Sequence, residues 1–404
     1  MSKEKLKELI YNDEDQIIKE RREIHQNPEL AMQEYETNDY IKEKLESYGL
    51  EVKQLEPTGL VADINPDSDG KTVLLRADFD ALPIQETNEF DFKSKNEGKS
   101  HACGHDTHVA MLLAATRALI EVKDELPGTV RLLFQPGEET GDGGKSVVKQ
   151  GVTRGVDSGF AIHIFTNFDL GYAATGYNQV MAGNYFFEVS FKGKSAHGST
   201  PYLGSDAIMM LNTFINGANG AVSRKVDALN TPIVLNFGVI SAGSVGNAVA
   251  SDAKLTGSFR FFDNDSADEF LKELQKIADI SADMYGGSAK FTYNQGAGPV
   301  INEKRSTDTA VKVASEIFGK DHVKTDLRVA GSEDFGLLLA GFEDYKGMPG
   351  SYMCIGARNP DDKSTFPTNH AQNFNPDESA FKDGALVLAQ YAYTFLNEGE
   401  DLKQ

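Results

Sequence analysis

Apolar residues recur at helical spacing from the start of the chain. Leu6, Ile10, Ile17, Ile18 and Ile24 predict a helix over 4–26, and Tyr40, Ile41, Leu45 and Tyr48, closed by Gly49, predict another over 34–48. The pattern then shortens. Residues 72–77 (TVLLRA), 129–134 (TVRLLF) and 159–164 (GFAIHI) are apolar runs that read as buried strands, while 109–122 (VAMLLAATRALIEV) reads as a helix buried over much of its surface. The first strand ends in the acidic turn Asp78-Phe79-Asp80 and the second in Gln135-Pro136-Gly137. Strands alternating with helices predict an α/β domain whose mixed, largely parallel sheet is flanked by helices. In such sheets ligands gather at the carboxyl ends of the strands.

Near residue 182 the periodicity changes. Residues 185–192 alternate like a half-exposed strand, 206–223 are helical, 232–240 and 254–262 read as strands, 267–284 as an amphipathic helix and 289–293 as a last strand. The order β-α-β-β-α-β is the ferredoxin-like unit, so 182–294 is expected to be an α+β domain inserted between 1–181 and 295–404. The second part returns to α/β patterning, with helices over 307–318 and 377–396 and a strand over 351–355.

Length supports two domains, since 404 residues exceed the ~250–300 at which single cores stop growing. The formal charge of −21 disfavours phosphate backbones and anionic lipid as partners, so neither nucleic acid nor membrane is expected. No apolar run approaches the ~18 residues of a membrane span. The first residues, MSKEKLKELIYNDEDQ, contain no apolar signal segment, and Cys103 and Cys354 are the only cysteines. A cytoplasmic, reducing location is the expectation.

The densest chemistry is His101-Ala-Cys-Gly-His105-Asp106-Thr-His108, which gathers three of the eight histidines. A thiol and imidazoles at this density are what a zinc-like or manganese-like ion requires. Cys103 and His105, two apart across Gly104, can point at one centre from a loop, whereas His108 falls a turn later and suits helix packing equally well. Glu138 and Glu139, adjacent after a Pro-Gly turn, point in different directions. One can bind metal while the other takes a proton from a water acidified by that metal; two solvated glutamates are the plainer alternative. His163 inside an apolar strand and His370 in Pro367-Thr-Asn-His370 are each more often structural. His197 stands among Gly193, Gly198 and Gly204 in the inserted domain, with Asn247 and Arg260. An arginine there can bind a carboxylate bidentately or be a surface charge. These residues describe a metallohydrolase without a substrate.

In order along the chain stand Arg22-Glu-Ile-His25-Gln-Asn-Pro28-Glu29-Leu30, Arg76-Ala-Asp78-Phe-Asp80-Ala-Leu-Pro83, His101 to His108, Phe134-Gln-Pro-Gly-Glu138-Glu139, Ser195-Ala-His197-Gly, Gly331-Ser-Glu-Asp-Phe335 and His370-Ala-Gln-Asn-Phe374. This series resembles, nearly end to end, the co-catalytic metallopeptidases that include aminoacylases, hippurate hydrolases and plant auxin-conjugate hydrolases. The resemblance implies that Cys103, His105, Glu139, His163 and His370 bind two divalent ions, zinc or manganese with cobalt or nickel as alternatives. It makes Glu138 the general base and later the acid, and His197 the oxyanion stabiliser. Asn247 and Arg260 would hold the substrate's carboxylate, and Asp80 and Asp106 would orient the ligands. The inserted domain would serve as lid and homodimerisation surface. The implied reaction is hydrolysis of an N-acyl amino acid or short peptide. The alternatives are an N-acetyl-diaminopimelate deacetylase, a dipeptidase or carboxypeptidase, and a non-catalytic metal-binding protein, the last disfavoured by the intact Glu138 and ligands. Three departures from the family pattern, at Ile164, Gly198-Ser199 and Ala371-Gln372, remove no ligand and leave the acyl pocket open.

Overall fold

The computed structural model describes residues 2–398. Residues up to Val180, Val300–Val329 and those from Glu333 onward form one compact unit; Met181–Pro299 with Ala330–Ser332 form a second.

In the first unit the single helix expected over 4–26 is two helices, α1 (Ser2–Asn12) and α2 (Glu14–His25). The break falls at Asp13, whose carboxylate accepts from Arg117 Nε at 2.9 Å, a partner no local pattern encodes. After α3 (Tyr35–Ser47) comes an eight-stranded sheet. Its order is β1 (Val52–Gln54), β2 (Leu60–Ile64), β4 (Thr129–Gln135), β3 (Thr72–Asp78), β5 (Ser158–Asp169), Gly350–Arg358, β6 (Ala173–Ala174) and Val323–Lys324. The central strands β4, β3, β5 and Gly350–Arg358 run parallel, while β2 and β1 extend one edge in antiparallel pairing. The hydropathy pattern predicts neither β1 nor β2. β1 is short and largely exposed, and β2 carries Asp63, whose carboxylate accepts from Arg131 Nη2 at 2.9 Å on the neighbouring strand β4.

The helix α4 (His105–Ile120) starts four residues before the expected Val109. Gly104, at φ 93°, caps it in the left-handed region that suits glycine. His105 is thus the first helical residue instead of part of a loop. Met111, Leu112, Leu113 and Ala115 on α4 are fully buried. They share one core with Val73 and Leu75 of β3, Leu132 and Phe134 of β4, Phe160 and Ile162 of β5, and Leu386 and Leu388 of the helix Ala380–Asn397. Each of these side chains larger than alanine contributes roughly 1.5–3 kcal/mol on burial.

The second unit is an antiparallel sheet ordered Ser288–Gln295, Gly183–Lys192, Asp252–Phe261, Val234–Ala242. The helices Ala207–Lys225 and Asn264–Asp283 cover it through Phe214, Leu211, Phe270 and Leu274, packed on Phe187, Val189, Phe191 and Phe259. This is the ferredoxin-like order. Among the described residues no helix is long and apolar enough to cross a membrane.

Candidate metal centre and active site

The carboxyl ends of three neighbouring parallel strands deliver the chemistry. β3 ends at Asp78, two residues before Asp80; β4 ends at Gln135, just before Glu138 and Glu139; β5 carries His163. The left-handed Gly104 turns the chain so that Cys103 and His105 face the same ends. Ligand atoms of Cys103, His105 and His163 lie within 4.8 Å of one another, and so do those of Cys103, Glu139 and His370. Cys103 belongs to both groups.

The surroundings fix which imidazole atoms face inward. His105 Nδ1–H donates to Asp80, 3.1 Å to Oδ1 and 3.0 Å to the main-chain oxygen. His163 Nδ1–H donates to the Ile164 carbonyl at 2.8 Å. The Nε2 lone pair of each is left for the centre, the arrangement metal-binding histidines usually show. His163 Nε2 stands 3.5 Å from Cys103 Sγ, and His370 Nε2 stands 3.5 Å from Glu139 Oε1. Both His105 Nε2 and Glu139 Oε1 are buried without a hydrogen-bond partner. Orphaned buried polar atoms are costly, and divalent cations held at the two groups satisfy both. Sulfur, nitrogen and carboxylate oxygen are donors that zinc-like divalent ions accept.

The sequence profile of peptidase family M20/M25/M40 matches residues 74–394, a span containing all of these donors. The chain belongs to this family. It is 37% identical to thermostable carboxypeptidase 2 of Saccharolobus solfataricus, over 98% of this chain and 99% of that protein. It is 36% identical to an N-acyl-L-amino acid amidohydrolase of Geobacillus stearothermophilus, over 75% of this chain and 82% of that one. A solved dinuclear metal-binding M20 peptidase of Bacillus subtilis superposes with a TM-score of 0.81 at 28% identity, covering 96% of this chain and 99% of its own. Like the M20 relatives, the chain is a metal-dependent hydrolase of amide bonds with two divalent ions.

Around this M20 centre the remaining expected residues divide. Asp80 touches two donors, since its Oδ2 also accepts Glu139 N–H at 3.0 Å. Asp106, expected to orient the ligands, lies next to His105 in the chain and is fully buried. Its Oδ2 accepts from Arg21 Nε at 2.8 Å and His25 Nδ1 at 2.7 Å, and so ties α4 to α2. His108 is consumed by the fold, with Nδ1 2.5 Å from Asp78 Oδ1 and Nε2 accepting Ile164 N–H at 3.0 Å. Glu138, largely buried, accepts the Asp334 amide at 3.3 Å. Burial first, then the charges of Glu333, Glu139 and Asp334, hold its carboxyl well above the ordinary range.

Several supporting residues carried no individual role in the motifs. Arg76, fully buried, pairs with Asp78, reaches Glu333 at 3.0 Å and Asp334 at 2.9 Å through Nη2, and donates to Gln135 at 3.0 Å. Burial pushes the Asp334 carboxyl up to about 8 despite Arg76. Asn369 Nδ2 donates to the carbonyls of Cys103 at 3.0 Å and Ile164 at 3.1 Å, joining the His370 loop to two ligand-bearing segments. A buried arginine two residues before an acidic strand end was the available signal for the first; nothing in the sequence marks Asn369.

His197, Asn247 and Arg260 lie in the second unit. Gly198 N–H donates to the Asn247 carbonyl at 2.8 Å, so the first two are backbone neighbours. His197 Nδ1 accepts Ser199 N–H at 3.1 Å, which leaves the neutral ring's hydrogen on the exposed Nε2. Arg260 Nη1 donates to Ser332 Oγ at 2.6 Å.

Proposed function

We propose that this chain is a two-metal amidohydrolase that releases free amino acids from N-acyl amino acids, acetyl or benzoyl or similar. The observation that carries the reading is the pair of donor groups sharing Cys103, with Glu138 beside them and outside both. In this reading Cys103, His105 and His163 would hold one ion and Cys103, Glu139 and His370 the other, zinc or manganese by donor chemistry, cobalt or nickel as substitutes. Bound there, divalent ions supply Lewis acidity that brings a water's pKa toward ~7. Glu138 takes the proton from the water whose oxygen attacks the acyl carbon as the C–N bond breaks; its raised basicity and largely buried position suit a general base. The same carboxyl then returns the proton to the departing nitrogen. His197 donates its Nε2–H to the oxygen on which charge develops. Arg260 and Asn247 bind the carboxylate of the amino acid, the bidentate geometry of a guanidinium supplying direction.

A second reading keeps the chemistry and changes the substrate to a peptide, favoured by the 37% identity to a carboxypeptidase. A deacetylase for N-acetyl-diaminopimelate is a third substrate of the same kind, in line with a 33% identical relative of that name from Oenococcus oeni. We also propose that the second unit is a lid and homodimerisation surface. Among the described residues its edge strand Val234–Ala242 has no partner on its outer side, and Val239 and Ile240 are 64% and 53% exposed. Two buried free thiols accord with a reducing cytoplasm.

The test is amide hydrolysis by metal-stripped protein, restored with zinc, manganese, cobalt or nickel, over N-acetyl and N-benzoyl amino acids beside free dipeptides. Metal-dependent release of amino acid from acylated substrates is expected. Turnover of dipeptides alone transfers the assignment to the peptidase reading, and silence on every substrate with two metals bound refutes both.

A further inference from the structure

Glu34 is completely buried, and no role described above uses it. It closes the segment Pro28–Glu34, which lies on the end of β3. Ala81 N–H donates to the Glu29 carbonyl at 2.8 Å, and Leu30 forms a parallel bridge with Ala81. From there the Glu34 carboxylate reaches the turn after β4. Its Oε1 accepts two amides at 2.9 Å each, those of Met32 and Gly137, and its Oε2 accepts from Thr58 Oγ at 2.8 Å.

Both amides belong to residues in the left-handed region, Met32 at φ 61° and Gly137 at φ 60°. Such a conformation costs a non-glycine residue on the order of 1 kcal/mol or more and persists only where the surroundings enforce it. The two residues are also in close approach: a Cβ on Gly137 would stand 2.6 Å from Met32 Sδ. One carboxylate oxygen therefore sets the turn whose next two residues are Glu138 and Glu139. Glu34 holds the amide before this pair, and Asp80 holds the amide within it.

We propose that Glu34 is a positioning residue that aims Glu138 by anchoring the Gly137 amide. This builds on the reading of Glu138 as the proton-transfer group. The anchor depends on the reach of an oxygen acceptor and not on its charge. Glu34→Gln keeps an oxygen at the same reach, and the Thr58 hydroxyl can turn to accept from the new amide group. Glu34→Asp keeps the acid and withdraws it by one methylene. Glu34→Ala would strand the buried Gly137 amide and the part-buried Met32 amide and is the poorer probe.

The experiment compares the E34Q and E34D full-length proteins with wild type. One readout is hydrogen exchange at the Gly137 amide, and the other is kcat and KM with both metals restored. Glu34→Gln is expected within about threefold of wild type in both readouts. Glu34→Asp is expected to raise exchange at Gly137 by about tenfold or more, with the rest of the chain unchanged. Its kcat should fall on the order of 10²-fold, the scale of a 1 Å misplacement, with KM nearly constant and both metals retained. The proposal is overturned if Glu34→Asp leaves exchange at Gly137 and kcat unaltered, if both variants lose kcat equally, or if the loss follows metal release or faster exchange throughout. Should the wild type hydrolyse no acylated amino acid, the substrate reading fails by itself, and selective exchange at Gly137 in Glu34→Asp still decides the anchor.

Discussion

Asp80 is the residue whose replacement speaks most directly to the metal centre. It is buried; its Oδ1 accepts His105 Nδ1–H at 3.1 Å and its Oδ2 accepts Glu139 N–H at 3.0 Å. Asparagine of the same shape has one oxygen for these two donors. If the oxygen faces Glu139, the new amide group meets His105 Nδ1, which is then held only by the Asp80 carbonyl at 3.0 Å and loses part of the bias that keeps its Nε2 lone pair inward. If the oxygen faces His105, the Glu139 amide is left unpaired in the interior. An unsatisfied buried amide costs about 1–3 kcal/mol, and loss of a partner behind a ligand typically weakens metal binding by about 10–100-fold, which is roughly 1.4–2.8 kcal/mol. Metal-stripped wild type and the D80N variant, titrated with zinc or manganese against a chromogenic chelator, should therefore differ by about one to two decades in affinity. Equal affinity in the two proteins would refute the orienting role of Asp80.

Further outcomes follow from the same geometry. Glu138→Gln should retain both metals and lose on the order of 10²–10⁴-fold in kcat; near-normal turnover in single-turnover kinetics would remove Glu138 from the mechanism. His197→Ala should fold and load metal normally, as seen by metal analysis, yet turn over on the order of 10²–10³-fold more slowly, and full activity would exclude that side chain from oxyanion stabilisation. Burial, assisted by the charge of Asp80, raises the Glu34 carboxyl from 4.5 to about 7. A raised folded-state pKa means that the native protein binds the proton more tightly, so this contribution is complete below 4.5 and is lost as pH rises through 7. Denaturant unfolding should therefore show Glu34→Gln gaining on wild type by about 3 kcal/mol between pH 4.5 and 7.5, at 1.36 kcal/mol per unit; parallel stability curves would contradict it.

The alternation of short apolar strands with buried helices was legible in the sequence because burial on both faces of a parallel sheet leaves near-continuous hydrophobic runs. The ferredoxin-like order of the second unit was legible for a related reason: each strand shows period two and each helix a periodicity near 3.6. The clusters around Cys103 and around Glu138 also announced themselves, since ligand types packed into a few residues are local features. Where the pattern failed, the decisive partner was distant. Arg117 meets the break in the first helix from 104 residues away. Arg76 reaches Glu333 across 257 residues, and Glu34 reaches Gly137 across 103. His105 and His108 look alike in sequence. The fold leaves one with a free inward nitrogen and occupies both nitrogens of the other. The chain by itself determined most of its elements and the kinds of donor it carries, because spacing and composition act over a few residues. Only the tertiary structure decided which donors share a centre. Parallel strands bring their carboxyl ends together from remote parts of the chain, and a buried polar atom's role depends on which partners that packing leaves it.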